Sequence, residues 1–201
     1  MLRASRKQEL KERIFTQAVK LFKEKGFDNV TVEEITQACG IAKGTFYNYF
    51  PKKEAVLLHL AESQLKSVHE SIQRNENMPD LKQQLLLLFS DLFRRYAEQP
   101  DMIRLVVSEM MRADMFIHAE IRILERFRQA LAALLEDAKN KGQLTTQAAS
   151  EDIAAVLTGV YFNSLMIWLS AGSNTIRIEM LFQRHFDIVW EDIRSRGVVK
   201  Q

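Results

Sequence analysis

The chain has 201 residues, 47% of them hydrophobic and 27% charged, so it can bury a substantial core and has the composition of an ordinary globular protein. Its single cysteine excludes an internal disulfide and suits a reducing compartment. The net charge of +2 is too small to argue for nucleic acid by itself, and seven glycines with three prolines favour long helices. Because no signal-peptide pattern precedes the first predicted helix, we expect a cytoplasmic protein.

The first predicted helix spans residues 7–25 and ends at Gly26. One of its faces is apolar and should support the elements that follow; it consists of Leu10, Ile14, Ala18, Leu21 and Phe22. The polar, basic residues 1–7 are expected to form a mobile, frayed arm. The alternative is an arm that reaches a minor groove or phosphates through Arg3, Arg6 or Lys7.

Two short helices and a tight turn are predicted for residues 31–53. Thr31 with Glu34 fits a capping box, so a helix should begin there. Gly40 can adopt the positive φ that ends this helix. The second helix is predicted for Lys43–Tyr49, and Pro51 stops it because the residue before a proline disfavours helix.

The second short helix carries a polar outer face. Phe46 and Phe50, four residues apart, point inward. The outward residues suit contact with phosphates and base edges better than a protein core; they are Lys43, Gly44, Thr45, Tyr47, Asn48 and Tyr49.

At these positions the sequence resembles the TetR-type one-component regulators. The resemblance covers about the first 55 residues and rests on Gly26-Phe27, Thr31–Ile35, Cys39–Ile41, Lys43–Phe50 and Lys53-Glu54. The sequence departs from the family at Cys39, where alanine is usual, and at Ala42, where serine or threonine usually caps the helix. A lost cap costs roughly 1 kcal/mol of local helix stability.

Roles for the DNA-facing residues follow from their chemistry, and residues at the matching positions contact DNA in the family. Lys43 can donate to guanine O6 and N7, and Gly44 lets the backbone approach closely. Thr31 lies at a helix N-terminus that favours a phosphate. Further candidates are Thr45 for a thymine methyl or a phosphate, Tyr47, Tyr49 and Lys53 for phosphates, and Asn48. Alternatively, Tyr49 packs on Phe46 or the next helix.

The charge distribution agrees weakly with this interpretation. Residues 1–60 hold eleven Lys or Arg against seven Asp or Glu, a net charge of +4, whereas residues 61–201 hold seventeen against nineteen. The basic surplus therefore coincides with the predicted helix-turn-helix, as a phosphate-facing module requires.

The remaining chain is predicted to be helical throughout. The helix at residues 52–75 links the basic head to the rest of the chain, and this position suits a mechanical role. Breaks at residues 75–79 and at Gly142 separate the others, which are predicted at residues 80–99, 100–112, 115–141, 148–171 and 175–196.

The helix at residues 148–171 is apolar on every side, since residues 153–176 contain no charge. Its dense apolar part, about 17 residues, is at the lower limit of a membrane span. We reject a span because Thr158, Asn163 and Ser164 interrupt it and no basic flank marks an inside face. A second copy of the chain is the simplest cover for its outer face. The helix at residues 148–171 and the last helix, two from each copy, are therefore predicted to form a four-helix dimer interface, which the resemblance also implies.

No catalytic or metal-binding constellation is evident, so we predict neither an enzyme nor a cofactor. The histidines at 59, 69, 118 and 185 are scattered, and no zinc, nucleophile-elbow or phosphate-loop motif occurs. Cys39 is expected to be a buried small residue; a redox sensor is the minor alternative.

An effector pocket is implied by the resemblance, because members of the family often bind a small molecule inside the C-terminal helices. Its candidate lining is aromatic and methionine-rich, which suits an apolar ligand. The candidates are Phe89, Phe93, Tyr96, Met110, Met111, Phe127, Tyr161 and Phe162. The alternative is that this stripe is plain core.

The sequence therefore predicts an all-α protein with a helix-turn-helix head at residues 1–51 and an effector-binding, dimerising helical body at residues 52–201. The expected function is a dimeric, ligand-released regulator, a repressor, on a palindromic double-stranded DNA operator. The alternative is a DNA-localised helical interaction protein without an effector, and a helical enzyme is disfavoured.

Overall fold

The structure is a computed structural model that describes residues 2–98, 100–112, 114–172 and 177–195. The side chains at 2–4, 60–64, 109–112, 114–122 and 195 are not described. Nine α-helices and no strand fall within these ranges, which confirms the predicted all-α class. They are α1 Leu2–Lys25, α2 Val32–Cys39, α3 Lys43–Tyr47, α4 Ala55–Arg74, α5 Leu81–Glu98, α6 Pro100–Arg112, α7 Asp114–Asn140, α8 Ser150–Ser170 and α9 Ile178–Ser195.

Two compact units are present, residues 1–63 with 101–120 and residues 64–100 with 121–201. Residues 1–51, the predicted head, fall within the first unit, and the functional boundary at residue 51 stays a prediction. The core of the first unit also contains Val56 and Leu57 from α4, and Met102 and Val106 from α6, which are buried with the first three helices. Helix α4 has residues in both units.

The first unit is built around side chains buried on every element of the head. Ile14 on α1, Ile35 on α2 and Phe46 on α3 are fully buried and belong to one cluster, joined by Phe22 and Phe50. These are the inward positions that the helical periodicity predicts.

The start of α1 corrects the prediction of a mobile arm, because the helix begins at Leu2, five residues earlier than expected. Apolar periodicity is absent there, but polar pairs one turn apart support the helix. The Ser5 hydroxyl donates to Glu9 at 2.9 Å, and the Gln8 amide donates to Glu12 at 2.7 Å.

The second unit has an aromatic core between α5, α8, α9 and the C-terminal part of α7. Helix α5 contacts α9 through Phe89 and Phe182, whose ring centroids are 4.5 Å apart, and through a 2.7 Å ion pair between Lys82 and Asp187. Helix α8 is held to α7 by the Ser150 hydroxyl, which donates to Glu136 at 2.6 Å.

Helix α8 is long and apolar enough to cross a membrane by length and composition, with a mean hydropathy of 1.6 over its most apolar window. Half of that window is buried inside the protein. Leu157, Leu165 and Trp168 contribute to this burial. Such burial is typical of the central helix of a core.

Candidate nucleic-acid interface

The first helix of the motif has the predicted cap. The Thr31 Oγ1 accepts the Glu34 backbone N–H at 3.2 Å, and the Glu34 carboxylate accepts the Thr31 backbone N–H at 2.8 Å and its hydroxyl at 3.0 Å. Lys25 donates to the same carboxylate at 2.6 Å. These bonds, that of Lys25 first, lower the pKa of Glu34 to about 2. The carboxylate therefore stays ionised at neutral pH and fixes the start of α2.

Helix α2 ends at the glycine that the sequence indicates. Gly40 adopts φ of 63°, and its N–H closes α2 on the carbonyls of Thr36 and Gln37. Ala42 then occupies the N-cap position of α3 without a side-chain hydrogen bond, so this helix lacks the usual capping interaction.

Helix α3 presents a polar outer face over a buried aromatic anchor. Phe46 is fully buried, whereas Tyr47 is 45% exposed and lies edge-on to Phe46 at 5.6 Å. Lys43 and Gly44 are exposed on the same short helix, which ends at Tyr47 instead of the predicted Tyr49. Asn48 is the exposed C-cap residue.

Gly44 has no role in the packing of this chain. A Cβ built at this position meets no heavy atom within 4 Å, and the residue lies within a regular helix. The absence of a side chain therefore leaves the outer surface of α3 open to close approach from outside the molecule.

Lys43 is paired in the free protein, a contact that sequence reasoning missed. Its ammonium forms an ion pair with Glu33 on α2. The hydrogen bond from Lys43 lowers the pKa of Glu33, and the same bond raises the pKa of Lys43. Because Glu33 is ten residues away on another helix, only the geometry of the turn reveals this pair.

Lys53 has a structural position. Its ammonium donates to the carbonyls of Phe27 at 2.7 Å and Val30 at 2.8 Å, and lies 4.4 Å from the centroid of the Phe27 ring. The side chain therefore fastens the loop that precedes α2. A phosphate contact by Lys53 stays a prediction.

The other candidates differ in their accessibility. Thr31 is exposed, while Thr45 is half-buried and its backbone N–H bonds to the Ala42 carbonyl at 2.9 Å. Tyr49 is half-buried and packs against the head core. The DNA roles of these residues stay predictions.

No metal centre is present among the described residues, which hold no group of three or more ligating side chains. His59 lies 3.1 Å from Glu12, and His185 lies 3.3 Å from the Ser164 hydroxyl, while the side chain of His118 is outside the described residues. Cys39 is a buried free thiol whose pKa is raised by burial, as expected for a core residue.

The predicted effector residues form a packed aromatic cluster in the second unit. Tyr161 lies at its centre, with ring centroids at 5.2 to 6.3 Å from those of Phe89, Phe93, Tyr96, Phe127 and Phe162. The Tyr161 hydroxyl donates to that of Tyr96 at 2.6 Å, and burial raises the pKa of Tyr161 well above its usual value. Met110 and Met111 lie outside the residues whose side chains are described. Ligand binding by these residues stays a prediction.

Comparison with known proteins agrees with the geometry of the head. Residues 14–60 match the family described as bacterial regulatory proteins, tetR family. The HTH-type transcriptional regulator YerO of Bacillus subtilis is 35% identical over 108 residues, half of this chain but only 36% of YerO. EthR of Mycolicibacterium smegmatis, also an HTH-type transcriptional regulator, is 25% identical over 78% of this chain and 73% of its own.

The likeness extends beyond the head in a solved structure. FadR of Thermus thermophilus, a TetR-family transcriptional repressor in complex with lauroyl-CoA, superposes with a TM-score of 0.73. It is 26% identical, and the match covers 95% of this chain and 96% of FadR. With the capped α2, the glycine turn and the outward face of α3, these matches show a head of the tetR family at residues 14–60, in a chain whose fold is similar to that of the transcriptional repressor FadR.

Proposed function

We propose that the protein is a dimeric, cytoplasmic repressor that binds a palindromic operator through two copies of α3 and is released by a small molecule bound in its second unit. The observation that carries this proposal is the outer face of α3. Lys43, Gly44 and Tyr47 are exposed there, while Phe46 anchors the helix from inside. A short helix of this kind fits a major groove, with its N-terminal residues toward base edges.

Dimerisation is supported by apolar surface that α8 and α9 leave uncovered. Val156 on α8 is 49% exposed, and Met180 and Ile188 on α9 are 64% and 70% exposed. On α8 the exposed stripe at residues 156, 159, 163 and 166 recurs at helical spacing and includes Gly159. A second copy would remove this patch from water and, by two-fold symmetry, present two heads.

The effector we propose is a fatty acyl thioester. Its support is the match to the lauroyl-CoA-bound FadR over almost the full length of both chains. The aromatic cluster around Tyr161 is the apolar region where an acyl chain would be accommodated. Because Phe89 and Phe93 are fully buried and each is in ring contact with Tyr161, an acyl chain would enter only by moving these rings.

The release mechanism depends on the distance between the two heads. Recognition helices on successive faces of the major groove are about 34–36 Å apart. A ligand that favours another angle of α4, which has residues in both compact units, would change that spacing. Moving the DNA-bound population from nearly full to nearly empty takes roughly 5 kcal/mol of differential affinity.

The proposal is tested on an operator selected from random duplexes with the full-length protein. Fluorescence anisotropy then measures operator affinity with lauroyl-CoA, with coenzyme A alone and with lauric acid. We expect lauroyl-CoA to weaken binding at least tenfold while coenzyme A has no effect. Operator binding that none of the three ligands changes would support instead a DNA-localised interaction protein, and failure to select any duplex would refute the regulator proposal.

The dimer is tested separately with matched variants. Ile188→Asp places a charge on the uncovered face of α9, whereas Leu87→Asp alters a leucine on α5 that is also exposed, at 43%. We expect Ile188→Asp to sediment as a monomer at micromolar concentration and to lose operator binding, with Leu87→Asp still dimeric. A dimeric Ile188→Asp variant with normal operator affinity would contradict an interface through α9.

A further inference from the structure

The second unit has a cleft whose lining includes none of the residues of the aromatic cluster. It has a volume of about 280 Å³ and is lined by the ends of α4 and α5 and by the C-terminal half of α7. Ile72 and Leu134 contribute apolar wall, whereas His69, Glu76, Gln84 and Asp137 bring polar groups to it. The cleft therefore combines an apolar surface with a polar end.

Gln84 is the unusual member of this lining. It is only 3% exposed, although it is polar and borders the cleft. The polar groups of such a side chain need hydrogen-bond partners, which water or a ligand in the cleft can supply. Because Gln84 borders the cleft, its amide can be satisfied by a molecule bound there.

The polar groups of the cleft share one chemical character, since all of them can accept hydrogen bonds. Glu76 and Asp137 are carboxylates, and the Gln84 amide offers its carbonyl oxygen. His69 Nδ1 lies 2.9 Å from the Leu65 carbonyl and donates to it, so Nε2 is the ring nitrogen that is left to accept a hydrogen bond. Four acceptors with two negative charges select a cationic donor.

A bare metal ion is the poorer match to this set. The described residues contain no group of three or more histidine, cysteine, aspartate or glutamate side chains close enough to hold one. The apolar wall at Ile72 and Leu134 would also make no favourable contact with an ion. An organic cation uses both the wall and the acceptors.

We propose that this cleft binds a primary aliphatic ammonium ion, with the charged end toward Glu76, Asp137 and Gln84 and the alkyl chain along Ile72 and Leu134. A volume of about 280 Å³ equals that of roughly nine waters of the bulk liquid, so it suits a short chain and not a lipid. The site involves none of the aromatic residues assigned to the acyl thioester, so the two proposals stand or fall independently.

Lys141 is the internal competitor for this cation. Its ammonium donates to Asp137 at 2.6 Å, and Asp137 and the more remote Glu76 raise the pKa of Lys141, the hydrogen bond to Asp137 being the largest cause. The side chain is 47% exposed and can turn into solvent. An ammonium ligand would take the place that Lys141 occupies beside Asp137, so removal of Lys141 should strengthen binding.

The walls of the cleft are fixed before any ligand arrives. The Gln143 amide donates to the carbonyls of Met78 at 3.1 Å and Pro79 at 3.3 Å, which ties the end of α7 to the α4–α5 turn. The Ser71 hydroxyl donates to Asp91 at 3.0 Å and joins α4 to α5. A preformed site loses little entropy when a small ligand binds.

The test is calorimetric titration of the full-length protein with hexylammonium chloride, compared with hexanol and sodium hexanoate, which keep the alkyl chain but not the positive charge. We expect saturable binding of hexylammonium alone. The double variant Glu76→Gln/Asp137→Asn should bind at least about tenfold more weakly, and Lys141→Met several-fold more tightly. Glu98→Gln, an exposed carboxylate at the end of α5, is the matched control and should bind as the wild type does.

Gln84→Leu provides a second criterion, since it keeps the apolar core filled while it removes the amide. We expect the variant to fold, with an unchanged far-UV circular dichroism spectrum, and to bind hexylammonium several-fold more weakly. Equal responses to hexylammonium and hexanol would overturn the proposal. So would wild-type affinity in the double carboxylate variant, or no saturable heat up to 20 mM ligand.

Discussion

Replacing Lys53 with methionine separates a structural role from a DNA contact. The substitution keeps most of the side-chain length but removes the ammonium that donates to the Phe27 and Val30 carbonyls at 2.7 and 2.8 Å. It also removes the positive charge that lies 4.4 Å from the Phe27 ring centroid. The loop between α1 and α2 would lose its fastening to the segment that precedes α4.

The magnitude follows from these three contacts. Hydrogen bonds to charged groups are worth about 1.5–3 kcal/mol each where fully buried, and a partly exposed cation–π contact about 0.5–1 kcal/mol. Because Lys53 is half-buried, water can partly replace it at the carbonyls. We therefore expect Lys53→Met to lower the free energy of unfolding by about 2 kcal/mol.

Urea unfolding followed by far-UV circular dichroism measures this change, and amide hydrogen exchange over residues 27–39 locates it. Lys20→Met is the matched control: it removes the same charge from an exposed side chain whose ion pair to Glu24 spans 4.0 Å. The reasoning is refuted if Lys53→Met unfolds at the same urea concentration as the control. A fall of about one in the slope of log affinity against log salt on the operator would then indicate a phosphate contact.

Four further changes test the head. Glu33→Gln frees Lys43 and removes a negative charge beside it, so affinity for random duplex should rise about two- to fivefold in a filter-binding assay; unchanged affinity would contradict this. Ala42→Ser supplies the missing cap of α3 and should raise the unfolding free energy by about 0.5–1 kcal/mol in urea. Gly44→Ala should leave stability unchanged or raise it by up to about 1 kcal/mol, yet weaken operator binding by anisotropy, and normal binding would show that no close approach occurs. Since the pKa of Glu34 is lowered from 4.5 to about 2, its stabilisation is complete above pH about 4.5 and is lost as pH falls toward 2. The difference in unfolding free energy between wild type and Glu34→Gln should therefore be constant near neutral pH. It should shrink as the pH falls from 4.5 to about 2.

Local chemistry predicted the features of the head that depend on neighbours in sequence. The capping box of Thr31 and Glu34 lies within one helical turn, so the residue types alone indicate it. The positive φ of Gly40 follows in the same way from the break in helical periodicity. The start of α1 was wrong by five residues, because polar pairs such as Ser5 with Glu9 support helix without apolar periodicity.

Contacts between residues that are far apart in the sequence could not be predicted from it. Lys53 bonds to carbonyls 23 and 26 residues earlier, and backbone carbonyls leave no trace in residue types. The burial of Gln84 could not be predicted either, because the polarity of a glutamine among the leucines of α5 assigns it to the surface. The aromatic stripe was correctly placed inward, but the periodicity of single helices gives no information on whether rings from α5, α7 and α8 close on one another.

The polar groups predicted to meet DNA already have partners in the free head, and this changes what they contribute to binding. Lys43 holds Glu33, the Thr31 hydroxyl holds Glu34, and Lys53 holds two carbonyls. When Lys43 turns to the duplex, one anionic partner replaces another, and Glu33 is left beside the negatively charged surface. The net gain from this lysine is therefore smaller than that from an unpaired one, and the salt dependence of binding should fall short of the number of lysines near the operator. Discrimination between sequences then rests more on the shape of α3, with an open surface at Gly44 and an exposed ring at Tyr47, than on its charge.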